Sequence, residues 1–173
     1  MGFHLKFCYK LKMRIFILVL FLNFLSITNI FSEERENELN KLFIDLKVDN
    51  INLAFKTEQK IWKIWSTHPT DKNLTLIMQK GSNLININKP NDAINIFTNL
   101  IDLDPDWAEA WNKRATVFYL IGEYQKSQND IDKVLELEKR HFGALAGQGL
   151  VNIKLKNYEK AIQSYEKVQQ IYP

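Results

Sequence analysis

The sequence has almost no cysteine: Cys8 is the only one in 173 residues. Without a second cysteine the chain offers neither a disulfide framework nor a thiolate metal site. Cys8 also precedes the apolar run near the N-terminus, whereas the cysteine of a lipoprotein follows such a run. The folded part of the chain must therefore be held together by packing alone.

The main part of the chain also lacks a large net charge of either sign. Residues 1–32 contain four of the 23 basic residues and no acidic residue, so residues 33–173 carry 19 basic and 20 acidic residues. A protein that binds nucleic acid through its phosphates needs a basic face. We therefore predict no nucleic-acid partner.

Groups of residues that perform catalysis or bind metal are missing as well. His68 and His141 have no second histidine, cysteine or carboxylate at the spacing of metal ligands. No Ser–His–Asp set, glycine-rich phosphate loop or pair of inward carboxylates can be assembled. We predict that the protein is not an enzyme and binds no metal and no cofactor.

The N-terminus has the pattern of an export signal. Four basic residues precede an apolar run from Ile15 to Leu25, which is the order found in secretory signals. Ile30 and Ser32 stand at the cleavage positions. Alternatively, the stretch from Ile15 to Phe31 forms an uncleaved anchor, since its length is at the lower limit of a membrane span. We interpret residues 1–32 as a signal peptide or signal anchor, and we expect residues 33–173 to fold without it.

A 34-residue repeat organises the rest of the chain. Pro105 and Pro173 are two periods apart, and apolar or small residues recur in fixed columns between and before them. These columns are Ile77/Trp111/Leu145, Gly81/Ala115/Gly149, Ala93/Ser127/Ala161, Phe97/Ile131/Tyr165 and Leu103/Leu137/Ile171. Such a period predicts an all-α solenoid of helical-hairpin repeats.

The helical periodicity predicts three hairpins, with helices over 72–87 and 91–103, 107–120 and 124–137, and 141–155 and 158–171. Asp71 is the expected N-cap of the first helix, and Pro90 is expected in the first turn of the second. Residues 33–72 do not follow the repeat. We interpret them as a helical hairpin, with a turn near 48–50, that caps the open end of the first repeat.

Two of the columns hold small residues, which allow the helices of a hairpin to approach closely. Phe97, Ile131 and Tyr165 are expected to fill the space between repeats. Trp111 shares a column with Ile77 and Leu145, so we expect it to be a core residue and not a ligand contact.

These columns resemble the tetratricopeptide repeat (TPR) family. The second repeat carries the resemblance best, with Trp107-Ala108-Glu109-Ala110-Trp111, Gly122-Glu123-Tyr124 and Ile131; the third adds Asn157-Tyr158-Glu159-Lys160-Ala161-Ile162. The resemblance divides residues 73–173 into repeats 74–107, 108–141 and 142–173. Segments 108–115 and 141–147 are similar to exported TPR proteins of α-proteobacteria. This similarity implies a periplasmic protein, or an inner-membrane protein facing the periplasm if the N-terminal segment is not cleaved.

The resemblance also implies a function. The first helices of TPR hairpins line a concave groove that binds a peptide or protein, as in an adaptor or scaffold. The groove positions in this sequence are Met78, Gln79, Ser82, Ile85, Glu109, Asn112, Lys113, Thr116, Tyr119, Ala146, Gly147, Leu150 and Ile153. The alternative is a membrane-anchored TPR subunit of an envelope assembly complex.

Three narrower expectations concern these surfaces. The clamp with which chaperone-binding repeats hold a C-terminal carboxylate is absent, because Met78 and Ser82 stand at its positions. Glu109 precedes Asn112 and Lys113 by three and four residues, so a helical ion pair is favoured over anion binding. The last helix carries more apolar residues than its own hairpin can cover, which predicts partner docking or self-association, as a dimer, through residues 158–173.

Overall fold

The computed structural model describes residues 33–173, and the N-terminal segment 1–32 lies outside the described residues. Within this range the chain forms eight helices and no strand. The helices are α1 (33–45), α2 (Ile51–Ser66), α3 (Lys72–Asn86), α4 (Pro90–Leu103), α5 (Ala108–Leu120), α6 (Tyr124–Leu137), α7 (Phe142–Lys154) and α8 (Tyr158–Ile171). This confirms the all-α repeat fold and places the helices of the three hairpins close to their expected ends.

The chain divides into two compact units, Met1–Asn40 and Lys41–Pro173. Of the first unit only residues 33–40 are described, and they are helical. The second unit contains the three hairpins α3–α4, α5–α6 and α7–α8, and α4 packs on α5 as α6 packs on α7. None of the helices between residues 33 and 173 is both long enough and apolar enough to cross a membrane.

Each hairpin turns through one residue with a positive φ. Asn88, Gly122 and Lys156 stand at the same position of successive repeats and have φ values of 56°, 83° and 62°. The N–H group that follows each of them returns to a carbonyl near the end of the preceding helix, with the bonds Lys89 N to Leu84 O (2.8 Å), Glu123 N to Phe118 O (2.9 Å) and Asn157 N to Asn152 O (2.7 Å). The three turns therefore share one Schellman-type geometry, although only one of them uses glycine.

The small-residue column has the steric role expected for it. A Cβ atom on Gly149 would lie 2.5 Å from the ring of Tyr165, and one on Gly81 would lie 2.6 Å from the ring of Phe97. In the second repeat Ala115 fills the same column, in a core cluster with the smaller Ile131. The size of the first-helix residue thus changes inversely with the size of the residue that faces it.

Trp111 departs from the expectation of an enclosed core residue. It packs against the two core clusters that surround Phe97 and Ile131, but it is only half-buried. Its Nε1 atom donates a hydrogen bond to the carbonyl of Pro105 at 2.9 Å, and the guanidinium of Arg114 lies 5.0 Å from its ring. Trp111 therefore joins two repeats at their edge and does not fill the centre of either.

The expected packing of the N-terminal hairpin over the first repeat is wrong for α2. This helix packs against α5, and its rings reach the start of α7, where the Trp65 ring stacks on His141 at 4.0 Å and the Trp62 ring meets Phe142 edge-on at 5.2 Å. Leu76, on the face of α3 that the expected cap would cover, is 61% exposed. The Trp65 ring also meets Phe43 of α1 at 6.0 Å, but no ring contact of Trp62 or Trp65 within residues 33–173 is with α3 or α4, and the aromatic partners at the start of α7 explain the different position.

Hydrogen bonds tie α2 and the residues that follow it to the first and third repeats. Trp107 Nε1 donates to the carbonyl of Trp65 at 2.8 Å, and His68 Nε2 lies 2.8 Å from Asp104 Oδ2. In the middle of α2, the Tyr172 hydroxyl lies 3.1 Å from Glu58. The helix therefore runs along the junctions between successive repeats.

Candidate binding groove

A groove opens between α5 and α7. It encloses a cavity of about 60 Å³. The residues that line it are Asn112, Ala115, Thr116, Tyr119, Ser127, Ile131, Gly147, Leu150 and Val151. We call this surface the α5–α7 groove. Of the residues predicted to bind a peptide, it brings together Asn112, Thr116, Tyr119, Gly147 and Leu150.

The accessible part of the α5–α7 groove is largely apolar. Leu150 is 44% exposed, and Ile153, one turn further along α7, is 43% exposed. Tyr119 is half-buried, with its ring 5.7 Å from that of Tyr124. Thr116 is exposed, but its hydroxyl already donates to the carbonyl of Asn112 at 2.9 Å. A ligand would therefore meet apolar side chains with little polar competition.

The predicted residues of the first repeat do not join this groove. Met78 is 1% exposed and packs in the core cluster of Phe97, so its assignment to a binding surface is wrong. Ser82 donates its hydroxyl to the Met78 carbonyl at 3.0 Å, and Ile85 is half-buried against the same cluster. Gln79 is exposed on α3. Met78 is enclosed because α3 turns this residue toward α4.

Glu109 is also buried and cannot contact a ligand. It is 1% exposed, with Oε2 accepting hydrogen bonds from Asn112 Nδ2 at 2.9 Å and from His141 Nε2 at 3.1 Å. Lys113 Nζ lies 3.1 Å from Oε1, which confirms the predicted helical ion pair. Burial alone would raise the pKa of Glu109, but the hydrogen bond from His141 and the charge of Lys113 outweigh it, so its pKa lies below the ordinary value.

The position of His141 closes this end of the groove. Its Nδ1 atom accepts a hydrogen bond from the backbone N–H of Ala144 at 3.1 Å, so Nε2 carries the proton that is donated to Glu109. Trp65 of α2 covers the imidazole ring, and Lys113 lies 5.8 Å from the ring centre of Trp62. The N-terminal ends of α5 and α7 are thus occupied by α2, and the α5–α7 groove is open only beyond Asn112.

Sequence reasoning missed the role of His141. Its separation from Glu109 along the chain has no helical meaning, and Trp65 lies outside the repeat. One signal was available: His141 stands one full repeat after Trp107, in the column that precedes the first helix of a repeat. Both residues contact Trp65 in the structure, Trp107 at the Trp65 carbonyl and His141 at the Trp65 ring.

The basic residues beside the groove are engaged within the protein. Arg114 makes a bidentate ion pair with Asp130, at 2.8 and 2.9 Å, and donates to Thr98 at 3.0 Å. Because Asn112 and Lys113 are bonded to Glu109, the segment 112–114 presents no free cluster for an anion. Among residues 33–173, no group of three or more histidine, cysteine, aspartate or glutamate side chains is placed to hold a metal ion.

Comparison with known proteins identifies the repeat. Two family models, each described as a tetratricopeptide repeat, match residues 78–127 and 143–173. A TPR repeat-containing protein of Rhizobium etli is 32% identical over 143 residues, which cover 82% of this chain and 70% of that protein. The chain belongs to the tetratricopeptide repeat family. TPR repeats are typically protein-interaction modules without catalytic activity.

Solved TPR structures share the fold. A crystal structure of MamA is 26% identical, with a TM-score of 0.56 over 70% of this chain and 68% of that one. The second TPR of Spaghetti, bound to an HSP90 peptide SRMEEVD, has a TM-score of 0.56 and 22% identity, and covers 58% of this chain and 93% of that one. This TPR chain spans 20% or less of the length of several further curated relatives.

Proposed function

We propose that this protein is an adaptor that binds a segment of a partner protein in the α5–α7 groove. The observation that carries this proposal is the set of accessible side chains around one cavity: Thr116, Tyr119 and Leu150 line it, and Ile153 extends the apolar surface. A TPR neighbour that binds an HSP90 peptide supports the same general mode of action.

The contacts favour an apolar segment over an acidic C-terminus. A carboxylate clamp needs free basic or amide side chains, but Lys113 and Asn112 are bonded to Glu109 and Met78 is enclosed. The exposed aliphatic surface of Leu150 and Ile153 instead suits apolar side chains of an extended or helical segment. The proposed partner therefore presents two or more apolar residues on one face.

A cross-linking scan tests this proposal. A photoreactive amino acid is placed at Thr116 or Leu150, with Lys133 on α6 as a control position outside the groove, and the cross-linked proteins are identified from the native cell. We expect one partner at both groove positions and none at Lys133. Equal cross-linking at Lys133, or different proteins at the two groove positions, would contradict the proposal.

We propose that the protein works in the bacterial periplasm as a scaffold, either free after cleavage of residues 1–32 or anchored in the inner membrane through them as a subunit of an envelope assembly complex. The basic and apolar order of residues 6–31 supports export. Mass spectrometry of the N-terminus of the natural protein decides between the two forms: a start near residue 33 supports cleavage, and an intact residue 1 supports the anchor.

A second surface is proposed for self-association. Tyr158 and Ile162 on α8 are exposed large side chains within residues 158–173. Val168 and Ile171 of the same helix are only half-buried. Such an apolar face marks an interface or a site of aggregation.

A further inference from the structure

The two internal joints of the solenoid show how one repeat recognises the next. At the first joint, Arg114 of α5 donates to Thr98 of α4 at 3.0 Å. At the second joint, the residues one repeat later make the equivalent contact, with Gln148 Nε2 of α7 lying 3.4 Å from Asp132 of α6. One column of first-helix residues therefore meets one column of second-helix residues at every joint.

The same columns end in two unpaired residues of opposite charge. The first-helix column begins with Lys80 on α3, and the second-helix column ends with Glu166 on α8. Both side chains are exposed, and neither forms an ion pair with another residue in 33–173. If α3 of one copy packed on α8 of another as α5 packs on α4, Lys80 would face Glu166.

Apolar residues also stand at the two open ends of the columns that meet at the joints. Ala110 and Ala144 are buried where α5 and α7 meet the preceding hairpin, and Leu76 holds their column on α3. Ile94, Gln128 and Ile162 form one second-helix column. Gln128 Oε1 accepts a hydrogen bond from Asn152 Nδ2 of α7 at 2.9 Å, so Ile162 would face the column of Asn152, which Leu84 holds on α3. Leu76 and Ile162 are 61% and 59% exposed, so each end of the solenoid leaves one large aliphatic residue in water.

We infer that the outer face of α3 is the docking site for α8 of a second copy, in an end-to-end joint with Lys80 beside Glu166 and Leu84 beside Ile162. This inference rests on the proposed self-association of residues 158–173 and names the surface that receives them. Asn83 stands where the buried Val117 and Val151 stand at the internal joints, which makes the joint weaker and reversible. Because the two faces differ, the contact is heterologous and adds copies end to end, in place of the closed dimer expected from the sequence.

Charge reversal tests the register of this joint. Sedimentation velocity is measured over a range of concentrations for the protein purified as the cell makes it and for the variants Lys80→Glu and Glu166→Lys. Each variant alone places like charges at the joint, so we expect association about tenfold weaker or more, equivalent to about 1.4 kcal/mol. An equimolar mixture of the two variants restores opposite charges at every joint between unlike copies, and we expect association from it close to that of the wild type.

Controls separate this inference from the proposed groove. Lys167→Glu on α8 makes the same change of charge as Lys80→Glu, but outside the proposed contact, and should leave association unaltered. Leu150→Lys in the groove should also leave it unaltered. A wild-type protein that stays monomeric at every concentration, or a mixture that associates no better than its two components, would overturn the inference. Neither result would affect partner cross-linking at Thr116 and Leu150, which tests the groove alone.

Discussion

Replacing Gly149 with alanine should destabilise the protein although alanine is the better helix former. The new Cβ atom would lie 2.5 Å from the Tyr165 ring, with two further ring atoms at 2.8 Å. Carbon atoms pack best at about 3.5 to 4.0 Å, so the ring would have to move by about 1 Å. Overpacking of this kind costs about 1–3 kcal/mol, against a gain of about 1 kcal/mol in helix propensity. We expect a net loss of about 1 kcal/mol.

Urea denaturation followed by circular dichroism measures this loss, and the same helix supplies a matched control. A Cβ atom on Gly147 would meet its nearest neighbour, Ile131, at 3.6 Å, which is an ordinary contact. Gly147→Ala should therefore raise the free energy of unfolding by up to about 1 kcal/mol.

The second repeat suggests how to relieve the clash. Gly149→Ala combined with Tyr165→Ile reproduces the pair Ala115 and Ile131. A double-mutant cycle should show a favourable coupling of about 1 kcal/mol or more between the two changes. A Gly149→Ala protein as stable as Gly147→Ala, or changes at 149 and 165 that are simply additive, would refute the steric reading of this column.

Three further predictions concern single residues. Glu109→Gln should lower the free energy of unfolding by about 2 kcal/mol at neutral pH, since it removes the charge that pairs with Lys113 and accepts from His141. Because the pKa of Glu109 is lowered in the folded state, ionised Glu109 stabilises the fold above its unfolded pKa, and this stabilisation is lost as the pH falls through its folded pKa. The free energy of unfolding should therefore fall less steeply with decreasing pH in Glu109→Gln than in the wild type. Lys156→Gly should stabilise by about 1 kcal/mol, measured by urea midpoint, because Lys156 has φ 62°, and a lower midpoint would contradict this. Trp111→Ala should lower the free energy of unfolding by about 3 kcal/mol, the lower end of the range for tryptophan, because the ring is half-buried. An unchanged urea midpoint would contradict the conclusion that Trp111 joins two repeats.

The repeat could be predicted from the sequence because its physical cause is local and recurs. Gly81 and Gly149 face aromatic residues one helix away, so the constraint on their size appears as a column at a constant spacing. Helix ends such as Asp71, whose side chain accepts from Asn73 N at 2.7 Å, depend on neighbours within a few residues. Such signals can be recognised in a single sequence without knowledge of the tertiary structure.

The position of α2 could not be predicted, because it has no periodic counterpart. The helix has an evident apolar side, but nothing in the sequence around Trp62 and Trp65 indicates that they contact His141 and not α3. Consequently the sequence analysis assigned Glu109 to an open surface, whereas in the structure it is buried beneath His141 and α2. Of the predicted groove, the part that depends only on the repeat, around Thr116 and Leu150, is the part that remains accessible.

The affinity of the partner segment for groove variants tests the central claim most directly. The segment cross-linked to Thr116 is synthesised, and its dissociation constant is measured by calorimetry with the wild type, with Leu150→Lys, and with Leu103→Lys as a control of similar exposure on α4. Burying an aliphatic side chain contributes about 1.5–3 kcal/mol, so Leu150→Lys should weaken binding by at least tenfold while Leu103→Lys leaves it unchanged. Equal affinity for the wild type and Leu150→Lys would contradict binding in the α5–α7 groove.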